Sequence, residues 1–215
     1  PDKIRSLNSI NLVACGTAFY AAQLGARYIQ TISGIGATAF LSSEFSADIF
    51  AGKDTLTIGV TQSGETKDTL DALTRAKLAG GHIASICNVI DSTIARFTGN
   101  GAYLYAGPEY SVASTKAFTN MTAVLLLFSL TIADRGQGSL RDLIASMRRL
   151  PQKMTSFLLS DEDYAPIVEA LSNSKVVLFI GRGPNAHIAS EAALKMMEVT
   201  YLPCLAYPAG ELKHG

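Results

Sequence analysis

The stretch TIGVTQSGETKDTLDAL, residues 57–73, sets the fold class. Thr57, Ile58, Gly59 and Val60 read as a buried strand, and Leu70, Ala72 and Leu73 open the apolar stripe of a helix. Between them Thr61, Gln62, Ser63, Gly64 and Thr66 bring hydroxyls, an amide and a flexible backbone to a helix N-terminus. Such a junction suits an anion, most simply a phosphate. The plainer reading is a strand-to-helix turn with Ser63 or Thr66 as the N-cap.

The same strand-then-helix pattern recurs in both directions. Strands are expected at 10–14, 37–41, 55–60, 82–88 and 102–105, and helices at 17–32, 66–78 and 115–133. The alternation predicts an α/β fold, a doubly wound parallel five-stranded sheet flanked by helices, with ligands beyond the carboxyl ends of the strands. The segment DRGQGSL, 134–140, breaks the pattern. Two helices are expected next, 140–154 and 164–171, with an interruption around Pro151. A strand at 175–180 then leads through GRGPNAH into a helix at 186–201, the truncated start of a second similar unit, since fourteen residues follow Tyr201. The expected division is 1–140 for the first domain, 141–174 for a helical connection and 175–215 for the partial second domain.

Composition narrows the function. The 215 residues are 48% hydrophobic and 17% charged with a net charge of +0, which argues against general nucleic-acid binding. The most apolar run, 121–133, is too short to span a bilayer, and no stretch resembles a signal peptide. Cys15, Cys87 and Cys204 are widely spaced, without metal-ligand spacing, and fit a reduced cytoplasmic setting.

Three junctions of the first sheet carry similar chemistry: ACGTAF with Gly16 and Thr17, TQSGET, and GPEYSVASTKAF with Val112, Ala113 and Ser114. Converging on one crevice, they would surround a phosphate with N–H groups and hydroxyls. None matches the P-loop, and GRGPNA lacks the last glycine of a dinucleotide fingerprint. In SEAALKMMEVTY, Glu191, Lys195 and Glu198 are spaced i, i+4 and i+7 and share a helix face. They form either a solvated ion-pair stripe or a general base tuned by an ammonium. AYPAGELKHG adds Glu211, Lys213 and His214 in a glycine-flanked loop.

Taken in order, ACGTA, TQSGETKDTL, ICNV, AGPEYSVASTKAF, GRGPNAHIASEAALKMMEVTY and AGELKHG resemble the isomerase portion of the glucosamine-6-phosphate synthase family. These are the glutamine:fructose-6-phosphate aminotransferases (isomerising), built on two sugar isomerase (SIS) domains. The resemblance implies that Gly16, Thr17, Thr61, Gln62, Ser63, Thr66 and Val112–Ser114 hold the sugar phosphate, fructose 6-phosphate or glucosamine 6-phosphate. It implies that Glu198 shuttles a proton between C1 and C2, that Glu191 and Lys195 position or tune it, and that His214, from an adjacent subunit, assists ring opening. It implies no metal or organic cofactor, a homodimer or larger homo-oligomer, and a glutaminase domain in the full-length parent. Neither that domain nor the tail carrying the family's Schiff-base lysine is found in these residues.

This sequence departs from the family pattern at Ala18 and Thr61, where Ser is usual, and at Ala192, where Gly is usual. Two other functions share part of the pattern: a stand-alone phosphosugar isomerase or deglycase, and a non-catalytic sugar-phosphate sensor. AGELKHG speaks against the first, and Glu198 with His214 against the second.

Overall fold

A computed structural model describes residues 2–133, 139–160 and 162–214. The chain runs α1 (Asp2–Arg5), β1 (Ser9–Ala14), α2 (Thr17–Ser33), β2 (Gly36–Leu41), α3 (Ala47–Phe50), β3 (Thr55–Thr61), α4 (Lys67–Leu78) and β4 (His82–Cys87). It continues with α5 (Thr93–Thr98), β5 (Gly101–Tyr103), α6 (Lys116–Ile132), α7 (Ser139–Leu158), α8 (Ala165–Ser172), β6 (Val177–Gly181), α9 (Pro184–Thr200) and β7 (Cys204–Pro208). Short 3₁₀ turns occupy Ser42–Glu44 and Leu212–His214.

The first five strands form one parallel sheet in the order β2-β1-β3-β4-β5. Ile10 of β1 lies opposite Ala37 of β2 and Leu56 of β3. Central strands of such a sheet are covered on both faces and become continuously apolar. In β1, accordingly, Ile10, Leu12, Val13 and Ala14 are fully buried. Alternation sends Ile10, Leu12 and Ala14 into one core with Ala21, Ala22, Met121 and Leu125. Val13 enters the other core with Phe45, Leu73, Cys87 and Ile94. A Cβ on Gly25 would stand 2.7 Å from Leu125 Cδ1, so glycine at that point lets α2 and α6 pack closely. The Arg5 guanidinium donates to the carbonyls of Ile132 and Ala133 and caps the C-terminus of α6.

The strand order places the site. The chain leaves β1 for β2 on one side, then crosses back over β1 to β3. The order in which strands are added therefore reverses between β1 and β3, where the connections diverge and leave a crevice at the carboxyl ends. β6 and β7 pair in parallel as a separate two-stranded sheet against α9.

Three expectations change. Pro151 does not interrupt its helix: α7 runs unbroken through it. A proline deletes one backbone donor and crowds the carbonyl of residue 147, a local cost that a long helix of strong formers absorbs. β5 ends at Tyr103 because Tyr105 takes a left-handed φ of 52°, which no strand continues. The second unit extends past its helix through β7 and the 3₁₀ turn, where a glycine-flanked loop was expected. Of the pattern break at 134–140, residues 134–138 lie outside the described residues, and Ser139 begins α7.

Candidate functional site

At the carboxyl ends of β1 and β3 lies a cleft of about 210 Å³ lined by Cys15, Thr17, Ala18, Thr61, Gln62, Ser63, Thr66, Ser114 and Met121. Residues from the three hydroxyl-rich junctions meet there. Gly16, with φ 55°, is the N-cap of α2, and Thr66 is the N-cap of α4. Both helices thus start at the crevice with unpaired N–H groups, the arrangement that favours an anion.

Most of the hydroxyls already have partners. Thr61 Oγ1 is 3.0 Å from Thr66 Oγ1 and accepts from the Gly64 N–H at 3.2 Å. Ser63 Oγ accepts from the Glu65 N–H at 3.1 Å. The loop is held open by its own hydroxyls, and among the described residues the Gln62 side-chain amide has no hydrogen-bond partner. Ser114 donates to Glu109 Oε2 at 3.2 Å, and the same oxygen accepts from the Ala117 N–H at the start of α6. Of 112–114, Ser114 lines the cleft, Ala113 is buried, and Val112 is 90% exposed.

Thr17 leads out of this cleft. Its hydroxyl donates to Glu191 Oε1 at 3.0 Å, across 174 residues of sequence. On α9, Lys195 Nζ stands 3.6 Å from Glu191 Oε1 and 2.5 Å from Glu198 Oε2. The side chains of Glu191, Lys195 and Glu198 are 7%, 19% and 27% exposed, so the solvated-stripe reading fails for the first two. A hydroxyl-lined cleft and a partly shielded Glu-Lys-Glu row are joined by one hydrogen bond. A second contact between α2 and α9 pairs His187 Nδ1 with Gln23 Oε1 at 3.1 Å. His214 sits exposed on its 3₁₀ turn, and its ring meets no hydrogen-bond partner among the described residues.

A family model described as the SIS domain matches residues 3–130 and 170–215. The chain belongs to the SIS domain family. A curated relative, glutamine–fructose-6-phosphate aminotransferase [isomerizing] of Leifsonia xyli subsp. xyli, is 40% identical over 97% of this chain and 35% of its own length. The protein of the same name from Pseudomonas putida is 38% identical over 100% of this chain and 36% of its own length. The chain thus spans little more than a third of these relatives. Among solved structures, the C-terminal domain of glucosamine-fructose-6-phosphate aminotransferase from Francisella tularensis is 32% identical. It superposes with a TM-score of 0.93 over 100% of this chain and 62% of that one.

The electrostatics of this SIS chain centre on Glu191. Burial pushes its carboxyl above the usual carboxylate range; the Lys195 ammonium and the Thr17 hydroxyl pull it down, and Glu198 adds to the rise. Its Oε2 is buried without a hydrogen-bond partner. A folded-state value above the unfolded one favours the neutral acid in the fold. The resulting stability is fully present below about pH 4 and is lost as pH rises through the folded value. The urea midpoint of the wild type, relative to Glu191→Gln, should therefore fall as pH is raised above about 4. A constant difference as pH rises would remove burial as the controlling influence.

No group of three or more His, Cys, Asp or Glu among the described residues could hold a metal ion. No helix among them is long and apolar enough to cross a membrane. Sequence reasoning missed Cys15 and Met121 on the cleft wall and Glu109 behind Ser114. Glu109 gave no signal, because the helix it caps starts seven residues further on.

Proposed function

We propose that this chain is the isomerase portion of a glucosamine-6-phosphate synthase. The full-length protein would convert D-fructose 6-phosphate and glutamine-derived ammonia to D-glucosamine 6-phosphate in the cytoplasm. The single observation that carries the reading is the Thr17–Glu191 hydrogen bond, which sets a phosphate-sized hydroxyl cleft beside the Glu191–Lys195–Glu198 row. The similarity to aminotransferases over the whole chain supports the substrate.

In this reading Thr17, Gln62, Ser63, Thr66, Ser114 and the N–H groups at Gly16 and around Thr61 hold the 6-phosphate and neighbouring hydroxyls. Val112 and Ala113 contribute backbone only. Glu198 takes a proton from C1 of the fructosimine phosphate and returns one to C2, which leaves an aldehyde at C1 and the amine at C2. Lys195, 3.6 Å from Glu191 and 2.5 Å from Glu198, holds the Glu198 carboxyl in place beside the sugar. Glu191 fixes Lys195 from the buried side. His214 opens the sugar ring in a neighbouring subunit's site, in keeping with its exposure and with a homodimer or larger assembly. A glutaminase domain in the full-length protein would supply ammonia. The division into 1–140, 141–174 and 175–215 belongs to the same reading, and the matched segments 3–130 and 170–215 support it.

Thermal denaturation tests the cradle. Fructose 6-phosphate at a hundred times its Kd should stabilise the chain by about 2.7 kcal/mol, and unphosphorylated fructose far less. Equal shifts with both sugars would remove the phosphate from the reading. Ser63→Ala should weaken fructose 6-phosphate binding by about 1–3 kcal/mol, read by titration calorimetry.

A further inference from the structure

β4 ends beside the cleft, yet the connection from Asn88 to Ser92 gives it no lining side chain. Its hydrogen bonds run to both neighbouring loops instead. On one side the Asn88 N–H donates to the Gln62 carbonyl at 3.2 Å and the Ile94 N–H to the Gly64 carbonyl at 2.9 Å. The Thr93 N–H, at the start of α5, donates to Glu65 Oε1 at 2.8 Å. On the other side the Asn88 side chain makes a two-point contact. Its Oδ1 accepts from the Ala106 N–H at 2.9 Å, and its Nδ2 donates to the Gly107 carbonyl at 2.7 Å.

That second contact replaces a ladder. The last backbone bond between β4 and the β5 side is Leu104 N–H to the Cys87 carbonyl, and the turn at Tyr105 carries the chain away from the sheet. The Asn88 amide presents an acceptor and a donor at about the spacing of a peptide unit and so extends the pairing by two residues. Ala106 and Gly107 open the segment that leads to Ser114. Asn88 therefore holds the Gln62 loop through its backbone and the Ser114 loop through its side chain.

We propose that Asn88 is a positioning residue that fixes the separation of the two loops gripping the phosphate; this rests on the sugar-phosphate reading above. It touches no substrate. Its loss should be felt in sugar-phosphate affinity, because the grip is shared across the two loops, and not in the proton transfer at Glu198. An asparagine that merely braced the fold would lower stability and leave affinity alone.

The test compares Asn88→Ala with Asn11→Ala in the full-length gene product. Asn11 makes a similar side-chain bond, from Nδ2 to the Phe50 carbonyl at 2.7 Å, at the opposite end of the sheet. Asn88→Ala should raise the KM for fructose 6-phosphate about tenfold, the scale of two lost neutral hydrogen bonds, with kcat nearly unchanged. Asn11→Ala should lower the melting temperature with no change in KM. An unchanged KM in a folded Asn88→Ala protein overturns the proposal, as does an equal rise in both variants. If Asn88→Ala does not fold, hydrogen exchange on the wild type decides. Fructose 6-phosphate should slow exchange at the Ala106 amide together with that of Gly64, and protection of Gly64 alone overturns the coupling. Failure of the wild type to bind fructose 6-phosphate would instead remove the parent reading, so the two failures are distinguishable.

Discussion

Glu198→Gln in the full-length gene product is expected to slow glucosamine 6-phosphate formation by about 10² to 10⁴, the usual share of a positioned general base. The substitution keeps shape and hydrogen-bonding capacity and removes the basic oxygen. Fructose 6-phosphate affinity should change little, since the cleft is built on the loops after β1, β3 and β5 while Glu198 stands on α9. His214→Ala should instead impair cyclic substrate more than an open-chain analogue. Mixing the two inactive proteins under subunit exchange should restore part of the activity, because one intact site can form from an unaltered Glu198 and a neighbour's His214. Full activity in Glu198→Gln would return the α9 row to an ordinary ion pair. Absence of recovery after verified exchange would mean that His214 serves its own chain.

The second large effect is expected at Gly64. Its φ of 69° lies in the left-handed region, and a Cβ there would stand 1.9 Å from Ser92 Oγ. The backbone strain is worth about 1–3 kcal/mol and the overlap a similar amount. Ser92 is buried at 3% exposure and cannot move aside freely. For a chain of this size Gly64→Ala should lower the melting temperature on the order of 10 °C. It should also abolish the stabilisation by fructose 6-phosphate, since Gly64 turns the loop between Ser63 and Thr66. A variant that melts like the wild type and still responds to the ligand would show that the loop has a second, unstrained conformation.

The central strands and long helices were legible because their apolar spacing is local. The starts of α2 and α4 were predicted to within one residue, and the hydroxyl loops stood out as departures from that spacing. Strand order was not legible, because nothing in β1 or β3 states that β2 lies on the far side of β1. The crevice could be anticipated only as a class property of parallel sheets. Pro151 misled because its penalty is local while the stability of α7 is summed over twenty residues. β7 was missed because CLAYP has no clear alternation and pairs with β6 across the whole of α9. The bracing bonds of Asn88 and Glu109 were not legible, since their partners are backbone N–H groups 18 and 8 residues away. The partnership of Thr17 with Glu191 could not be read from either helix alone.

That partnership bears on the order in which the molecule acquires its working state. The first sheet can assemble from neighbouring segments, whereas Thr17 and Glu191 are separated by 174 positions and must meet by docking α9 on α2. Closing so long a loop carries an entropic cost that is met only late, once both partners are already formed. On refolding, far-ultraviolet signals should accordingly recover before Glu191 docks against Thr17. Under mild denaturant the sequence should run in reverse, with undocking of α9 abolishing competence while most helical content persists. On the proposed function, the Thr17–Glu191 contact would then serve as a checkpoint, joining the cleft to the α9 row only once that long-range contact has closed.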